Sequence, residues 1–511
     1  MRKGMAFFIL FSVLLLMPGF YAGAEAETEA VYSSAADLSG KKIGVVLGKI
    51  YESVTRESIP DAEVEFFNSS VDMMEALRTG RVDACVDDEQ ILKASVSSDP
   101  SLACFSLGGM KYGTGFAFDK DRGDPVLIKA LNEHIRKLRD EGTLAKWEKI
   151  WMGADESLKQ QLNYEELPAT VGTLHIAVDT LTDPFVSMKN NEIIGYEIAI
   201  LTDFCREKGY AMELTVMDFD ALIPALAVGK DDLAAAGFSI MPERMEAVQF
   251  SEPTYFSGAG AVVRTGLERE KESFFARLGN SFEKTFIREK RYLMFLEGIC
   301  NTVLISVLSV VFGTILGFLV YLWCRRGSPV VGGITRFAVW LVQGMPLVVL
   351  MMALYYIVFA RIAIDGIAVA VIGFTIMFGT SVYGMLQSSV SAVPNGQTEA
   401  SSALGFNDRQ TFFGIILPQA LPYALSSYKG GVSSLIRGTS IVGYIAVQDV
   451  TKMGDIIRSR TYEAFFPIVV VAVIYFVLAG LVNLLVGRLL RLVNPKRGGR
   501  KGLLKGVNMH D

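Results

Sequence analysis

Residues 398–422 read TEASSALGFNDRQTFFGIILPQALP, a polar, small-residue island between strongly apolar segments. Glu399 opens a helical run, Gly405 offers a left-handed position at which a helix can stop, and Pro418 and Pro422 punctuate the next segment. The apolar segments around the island are each near the length that crosses a bilayer. Five spans are expected, at about 298–323, 337–360, 366–388, 424–447 and 464–489. The island is therefore a loop of a multi-pass membrane domain, and the fold of the C-terminal half is decided by it.

Composition bounds the rest. Of 511 residues 51% are hydrophobic, and the net charge of −5 hides a strongly basic end. Five cysteines (Cys85, Cys104, Cys205, Cys300, Cys324) show no ligand-like spacing, and a Cys85–Cys104 disulfide is one option for an exported domain. Three scattered histidines argue against a metal centre or a catalytic triad. Nothing calls for a cofactor or a nucleic-acid partner. At the N-terminus, Arg2 and Lys3 precede an apolar run from Ala6 to Met17, and Ala22-Gly23-Ala24 fits small-x-small cleavage. Residues 1–24 are expected to be an export signal, which would place the domain after it outside the cytoplasm.

Residues 36–265 alternate short apolar runs with amphipathic stretches. Lys42–Val46, Val82–Val86 and Gly115–Phe118 are expected to be strands, and Ser70–Thr79 and Val126–Lys149 to be helical. A second series repeats the style with Leu174–Val178, Glu197–Lys208, Met212–Val216, Ala221–Val228 and Leu233–Ala236. Two α/β sheets are expected, with ligand at the carboxyl ends of their strands. Beyond them, the mixed segment 266–295 reads as an amphipathic helix on the membrane surface.

Two resemblances sharpen this. The island is similar to the coupling loop of ABC importer membrane subunits, EAA-x3-G-x9-I-x-LP, with Glu399, Ala400, Gly405, Ile415, Leu417 and Pro418 in register and Ser401 in place of the second alanine. In that family the loop forms two short cytoplasmic helices that dock on an ATPase subunit. The spans around it resemble the amino-acid permease branch, on Glu297-Gly298, Asn301-Thr302, Gln343-Gly344-Met345-Pro346-Leu347 and Gly438-Thr439-Ser440-Ile441. Pro346 would interrupt a helix there.

The soluble half resembles polar amino-acid binding proteins of the type II periplasmic fold. Its second series carries the start of that fold (Asp183-Pro184-Phe185, Gly195-Tyr196-Glu197, Ala236 to Arg244, Phe250 to Tyr255). The first series carries its end (Asp37 to Val45, Leu77 to Asp88, Tyr112 to Phe118, Asp140 to Thr143 with Trp147). The expected architecture is thus a two-lobed α/β domain with its lobes in permuted order, leading into an all-α type I permease domain of about five helices. Its parts would be lobe 2 at 31–110, a hinge and return segment of lobe 1 at 111–154, a linker at 155–170, and the body of lobe 1 at 171–265. The membrane domain would occupy 296–492 and a basic cytoplasmic tail 493–511. A linker of about sixteen residues reaches up to roughly 55 Å, so the old termini can be joined.

The resemblance also implies a site. Arg244 would clamp the carboxylate of an amino acid, helped by Ser239, while the Gly237 carbonyl and Asp88 would receive its ammonium. Phe185 and Phe238 would wall the side-chain pocket. Lys49 stands where the family has Thr or Ser, and Ile200 where it often has Asp. Arg437, in the unusually polar fourth span, is a candidate for the pathway or for a subunit interface. No Walker A motif is present, since the nearest string, Gly44 to Ile50, lacks its spacing and its Ser or Thr. The expected partners are a separate ATPase, a polar amino acid, the bilayer and a second copy of the chain. An amino-acid-gated channel built on the same binding fold is the alternative. It predicts a re-entrant loop and no ATPase-docking loop. An enzyme on this fold would need an acid–base pair, and only lone carboxylates are found.

Overall fold

The computed structural model describes residues 32–493, apart from 48, 68, 97–98, 154, 156, 161, 191, 266–273, 361, 363, 462 and 464. The expected export signal, the tail beyond 493 and the opening of the pre-membrane segment lie outside the described residues.

In chain order the soluble half begins with β1 (Lys42–Val46), α1 (Tyr51–Ser58), β2 (Glu63–Phe67), α2 (Ser70–Arg78), β3 (Ala84–Asp88), α3 (Glu89–Val96) and the long β4 (Leu102–Thr114). Then come β5 (Ala117–Asp119), α4 (Pro125–Asp140), α5 (Thr143–Trp151), β6 (Gly172–Val178), β7 (Ser187–Lys189), β8 (Glu192–Ile194) and α6 (Tyr196–Lys208). It closes with β9 (Tyr210–Val216), α7 (Phe219–Val228), β10 (Leu233–Ala235), β11 (Val248–Phe250) and β12 (Tyr255–Arg264). Local chemistry sets these limits. The Ser69 hydroxyl caps α2 by accepting the Asp72 N–H, and Asp124 with Pro125 opens α4. The expected single helix over Val126–Lys149 is two helices, because Gly142 adopts φ +72° between them.

Two five-stranded sheets form, in the orders β2-β1-β3-β12-β4 and β11-β5-β10-β6-β9. In each sheet the central helix-linked strands are parallel, and antiparallel partners come from across the molecule. They are interlaced. Sheet one, in lobe 2, takes β12 from the far end of the soluble half, and sheet two, in lobe 1, takes β5 from the first series. Strand Tyr255–Arg264, expected in the body of lobe 1, therefore belongs to lobe 2. The reason is in its sequence: YFSGAGAVVR is buried along almost its full length and fits a strand flanked on both sides. Cys85 and Cys104 both stand opposite Val262, on either side of β12. They are two strands apart, about 10 Å, so no disulfide can join them, and both are free thiols.

The helical half runs α8 (Phe274–Phe282), α9 (Tyr292–Arg326), α10 (Pro329–Gly344), α11 (Leu347–Ala353), α12 (Gly366–Ser391), α13 (Gly396–Ala403), α14 (Asp408–Thr411), α15 (Leu417–Gly438), α16 (Val450–Thr461) and α17 (Phe466–Val493). Among the described residues three helices, α9, α12 and the Phe466–Arg488 part of α17, are long and apolar enough to cross a membrane; α10 with α11 extended to Val358 makes a fourth span bent by 106°. The bend falls at Met345-Pro346, where the proline was expected to interrupt a helix. The fourth expected span, α15, has 22 residues but does not meet the same test of apolarity, so the expected five become four by composition plus one polar helix. Its Pro422 lies inside the helix rather than ending a segment. Helices α9 and α12 pack closely because both carry glycines. A methyl on Gly317 would sit 2.4 Å from the Gly379 carbonyl.

Candidate functional site: two lobes and a two-helix loop

The residues assigned to the ligand form two groups. Five of them stand together on lobe 1. Gly237, between β10 and β11, takes φ +61° and packs so tightly on Phe185 that an added Cβ would lie 2.5 Å from its ring. Its N–H donates to Glu197 Oε2 at 3.0 Å. Glu197 sits at the start of α6, fully buried, and its own N–H donates to the Phe185 carbonyl at 3.1 Å. Burial pushes the Glu197 carboxyl up to about 8, against the opposing backbone N–H groups of Gly237 and Ala236.

Arg244 donates to the Ser239 carbonyl at 3.3 Å and lies over the rings of Phe219 and Phe238, 5.4 and 5.5 Å from their centroids. Burial holds its guanidinium below the usual range. An arginine stacked on two rings is pre-positioned, so little freedom remains to be lost when it meets a carboxylate. Ser239 is buried beside it and bridges to Thr114 at the crossing between lobes. Phe238 is wholly buried against Phe219, at 5.0 Å between centroids.

Asp88 stands apart, at the carboxyl end of β3 on lobe 2. Its Oδ1 accepts the N–H groups of Gln90 and Ile91 at 2.8 and 3.1 Å, so it caps α3. Burial pushes its carboxyl up to about 6, opposed by the Ser257 hydroxyl and these N–H groups. Lys49, a departure from the family pattern, is paired within lobe 2. Its ammonium is held by both oxygens of Asp87, at 3.0 and 2.8 Å.

Sequence reasoning missed three groups. Phe219 supplies a second ring beneath Arg244, and only its place just after the β9 run signals that. Tyr255, wholly buried, joins the lobes: its ring meets Phe185 at 5.5 Å, and burial with the Asp88 charge raises its hydroxyl. Asp179 follows β6 and Asp218 comes just after β9, both beyond the carboxyl ends of parallel strands. Lys452 of α16 pairs with them, at 3.5 and 2.6 Å. No sequence pattern could have paired residues so distant in the chain.

The loop at 398–422 forms two short helices, α13 and α14, separated by Gly405 at φ +83°. Its Leu417 and Pro418 begin α15. Glu399 and Ala400 are exposed on α13. Ser401, which replaces an alanine, is buried, and its hydroxyl is satisfied by the Gln397 carbonyl at 2.6 Å. The loop is braced to the end of α9: Arg325 pairs with Asp408 through both oxygens and lies 4.4 Å over Phe412. Leu404 remains 76% exposed, with Phe406 and Phe413 also on the surface. Arg437 closes α15, exposed, donating to the Ser433 carbonyl at 3.3 Å.

Known proteins match both halves. The profile of the bacterial extracellular solute-binding proteins, family 3, matches residues 174–406. The probable amino-acid ABC transporter permease protein YckA of Bacillus subtilis is 28% identical over 187 residues, 36% of this chain and 83% of that protein. The L-cystine transport system permease protein TcyB of the same organism is 28% identical over 211 residues, 40% of this chain and 89% of that protein. The L-cystine-binding protein TcyJ of Escherichia coli is 32% identical over 146 residues, covering 28% of this chain and 54% of that protein. A solved structure titled as an amino acid ABC transporter with histidines superposes with a TM-score of 0.37 at 23% identity, over 44% of this chain and 99% of that one.

The chain thus joins an extracellular-type solute-binding domain to an ABC transporter permease domain. It is a membrane protein that resembles solute-binding proteins in one part and amino-acid ABC transporter permeases in another.

Proposed function

We propose that this chain captures a polar amino acid outside the cell and passes it through its own membrane domain, driven by a separate ATPase. The observation that carries the reading is the coexistence in one chain of a two-sheet α/β domain with a pre-stacked Arg244 and a helical domain with an exposed two-helix loop. An amino-acid zwitterion would place its carboxylate on Arg244 and Ser239 and its ammonium on the Gly237 carbonyl and Asp88, with Phe185 and Phe238 around its side chain. Because Arg244 and Asp88 belong to different lobes, such a ligand bridges them and favours the closed state. Interlaced strands β5 and β12 support a permuted binding domain completed within one chain.

Outside the cleft, Arg325 and Arg326 at the end of α9 support an inner loop there, and hence an outer binding domain. Leu404, Phe406 and Phe413 give the loop an apolar face suited to docking the ATPase. A homodimer would complete the pore, with Arg437 at or near the seam. One feature favours the channel reading, namely the bent pair α10–α11, which has the form of a re-entrant loop. The braced and exposed loop 398–422 has no use in a channel.

L-cystine, named for two of the relatives, is the first ligand to try, and the remaining amino acids come next. Purified full chain in detergent should show a thermal shift with at least one of them. No shift with any amino acid overturns the substrate class, and ion conductance in planar bilayers without ATPase would favour the channel.

A further inference from the structure

The two lobes meet the membrane domain in unequal ways. Lobe 1 shares its cores with it. Met217, Ala221, Leu222 and Ala225 join one continuous apolar cluster with Leu354, Tyr356 and Val442. Ile198 and Phe204 belong to another that includes Met294, Met453 and Ile457. Polar contacts run along the same seam. The Tyr356 hydroxyl reaches the carbonyls of Ala221 and Tyr444 at 3.5 and 3.1 Å. Lys452 is buried between Asp179 and Asp218, and Arg460 pairs with Asp183, two residues before Phe185, at 3.4 Å. A seam of this kind, apolar within and ionic at its edge, is that of a permanent interface.

Lobe 2 is different. Its two apolar clusters contain no membrane-domain residue among the described residues. It reaches α16 through an ion pair, Arg458 with Asp72 at the first turn of α2. Behind Asp72 a polar series leads to the cleft. Ser69 donates to Asp72 Oδ2 at 2.7 Å, the adjacent Ser70 donates to Asp87 Oδ2 at 3.3 Å, and Asp87 Oδ1 accepts the Asp88 N–H at 2.9 Å. Two strand crossings, near Thr114–Gly115 and Pro253–Thr254, connect this lobe to the fixed one.

We propose that lobe 1 is a stationary part of the membrane domain, that lobe 2 alone swings on amino-acid capture, and that Arg458 is the positioning residue through which that swing bears on α16. This rests on the amino-acid reading above for the trigger, but not for the mechanics. Helix α16 carries Lys452 toward the stationary lobe and Arg458 toward the moving one, so it is placed to register their relative position. Such an element, biased by both sites, is what coupling between them requires.

The test uses full-length protein in lipid nanodiscs, with spin labels carried on unnatural amino acids at Glu63 in lobe 2, Glu213 in lobe 1 and Ile362 in the membrane domain. Without added amino acid, the 213–362 distance distribution should be single and narrow and the 63–362 distribution broader. An equimolar mixture of the twenty amino acids with L-cystine should move only the 63–362 distance. Arg458→Gln should broaden that distance alone and change apparent amino-acid affinity about 3- to 10-fold, and the swapped pair Asp72→Arg with Arg458→Asp should restore both. A 213–362 distance that is broad or moves with the mixture overturns the proposal, as does an Arg458→Gln protein with unaltered distributions. If the mixture moves neither distance, the amino-acid reading fails, and the distributions without it still decide whether lobe 1 is stationary.

Discussion

Glu197 shows how much one buried carboxylate can govern. It fixes both Gly237 and the Phe185 backbone, and its carboxyl is raised from the ordinary range to about 8. A carboxyl raised on folding is bound to its proton more tightly in the folded than in the unfolded state. Its contribution to stability is therefore greatest below the unfolded pKa near 4.5 and declines as pH rises to about 8. Thermal unfolding of the protein should show a decline on the order of a few kcal/mol across that window. Glu197→Gln, which keeps an acceptor for the Gly237 N–H, should flatten it, and an unchanged pH profile in that variant would refute the assignment. At Arg244 the expected loss is in binding. Arg244→Gln should weaken amino-acid affinity about 10- to 100-fold, as for one or two charge-assisted hydrogen bonds, with little change in melting temperature when no amino acid is added; calorimetry reads both. Gly237→Ala should lower the melting temperature as well as the affinity, because its methyl would enter the buried Phe185 ring from a left-handed backbone position.

Elements were unevenly legible. The strands KIGVV, LHIAV and MELTV and the helices over Ser70–Arg78 and Tyr196–Lys208 are given by periodicity, since each is decided by its own pattern of burial. The loop at 398–422 was readable for a similar reason: Gly405 needs a left-handed backbone and Ser401 needs a local acceptor, both properties of short range. The features that stayed hidden depend on distant partners. Strand β12 looks like the continuation of lobe 1, yet its register is set by β3 and β4. Helix α16 shows only charges of both signs in its sequence, and its cations acquire meaning only beside Asp72, Asp179, Asp183 and Asp218. Phe219 was missed because a ring at the start of a helix resembles any core residue. At this scale the loop carries its own prediction. Glu399→Lys should abolish ATP-driven uptake in proteoliposomes while leaving amino-acid affinity intact, and wild-type uptake would mean the loop has been misassigned.

For the whole molecule, the exposed apolar surface is large. Val330, Ile334, Phe337 and Trp340 of α10 and Leu481, Leu484 and Leu485 of α17 all lie on the outside of a single chain. Some of this faces lipid, and part is expected to face a second copy. Native mass spectrometry from nanodiscs should find two copies, and Arg437→Leu should reduce that population or the uptake rate. A monomer with full uptake would remove the homodimer from the scheme.

The seam between lobe 1 and the membrane domain also has a kinetic meaning. A transporter fed by a diffusing receptor has an encounter step, and its rate depends on how many receptors compete for each pore. Here Ala221 and Leu222 share an apolar core with Tyr356 and Val442, so that step is absent. Uptake should rise with outside amino acid along one hyperbola whose midpoint is indifferent to the level of expression.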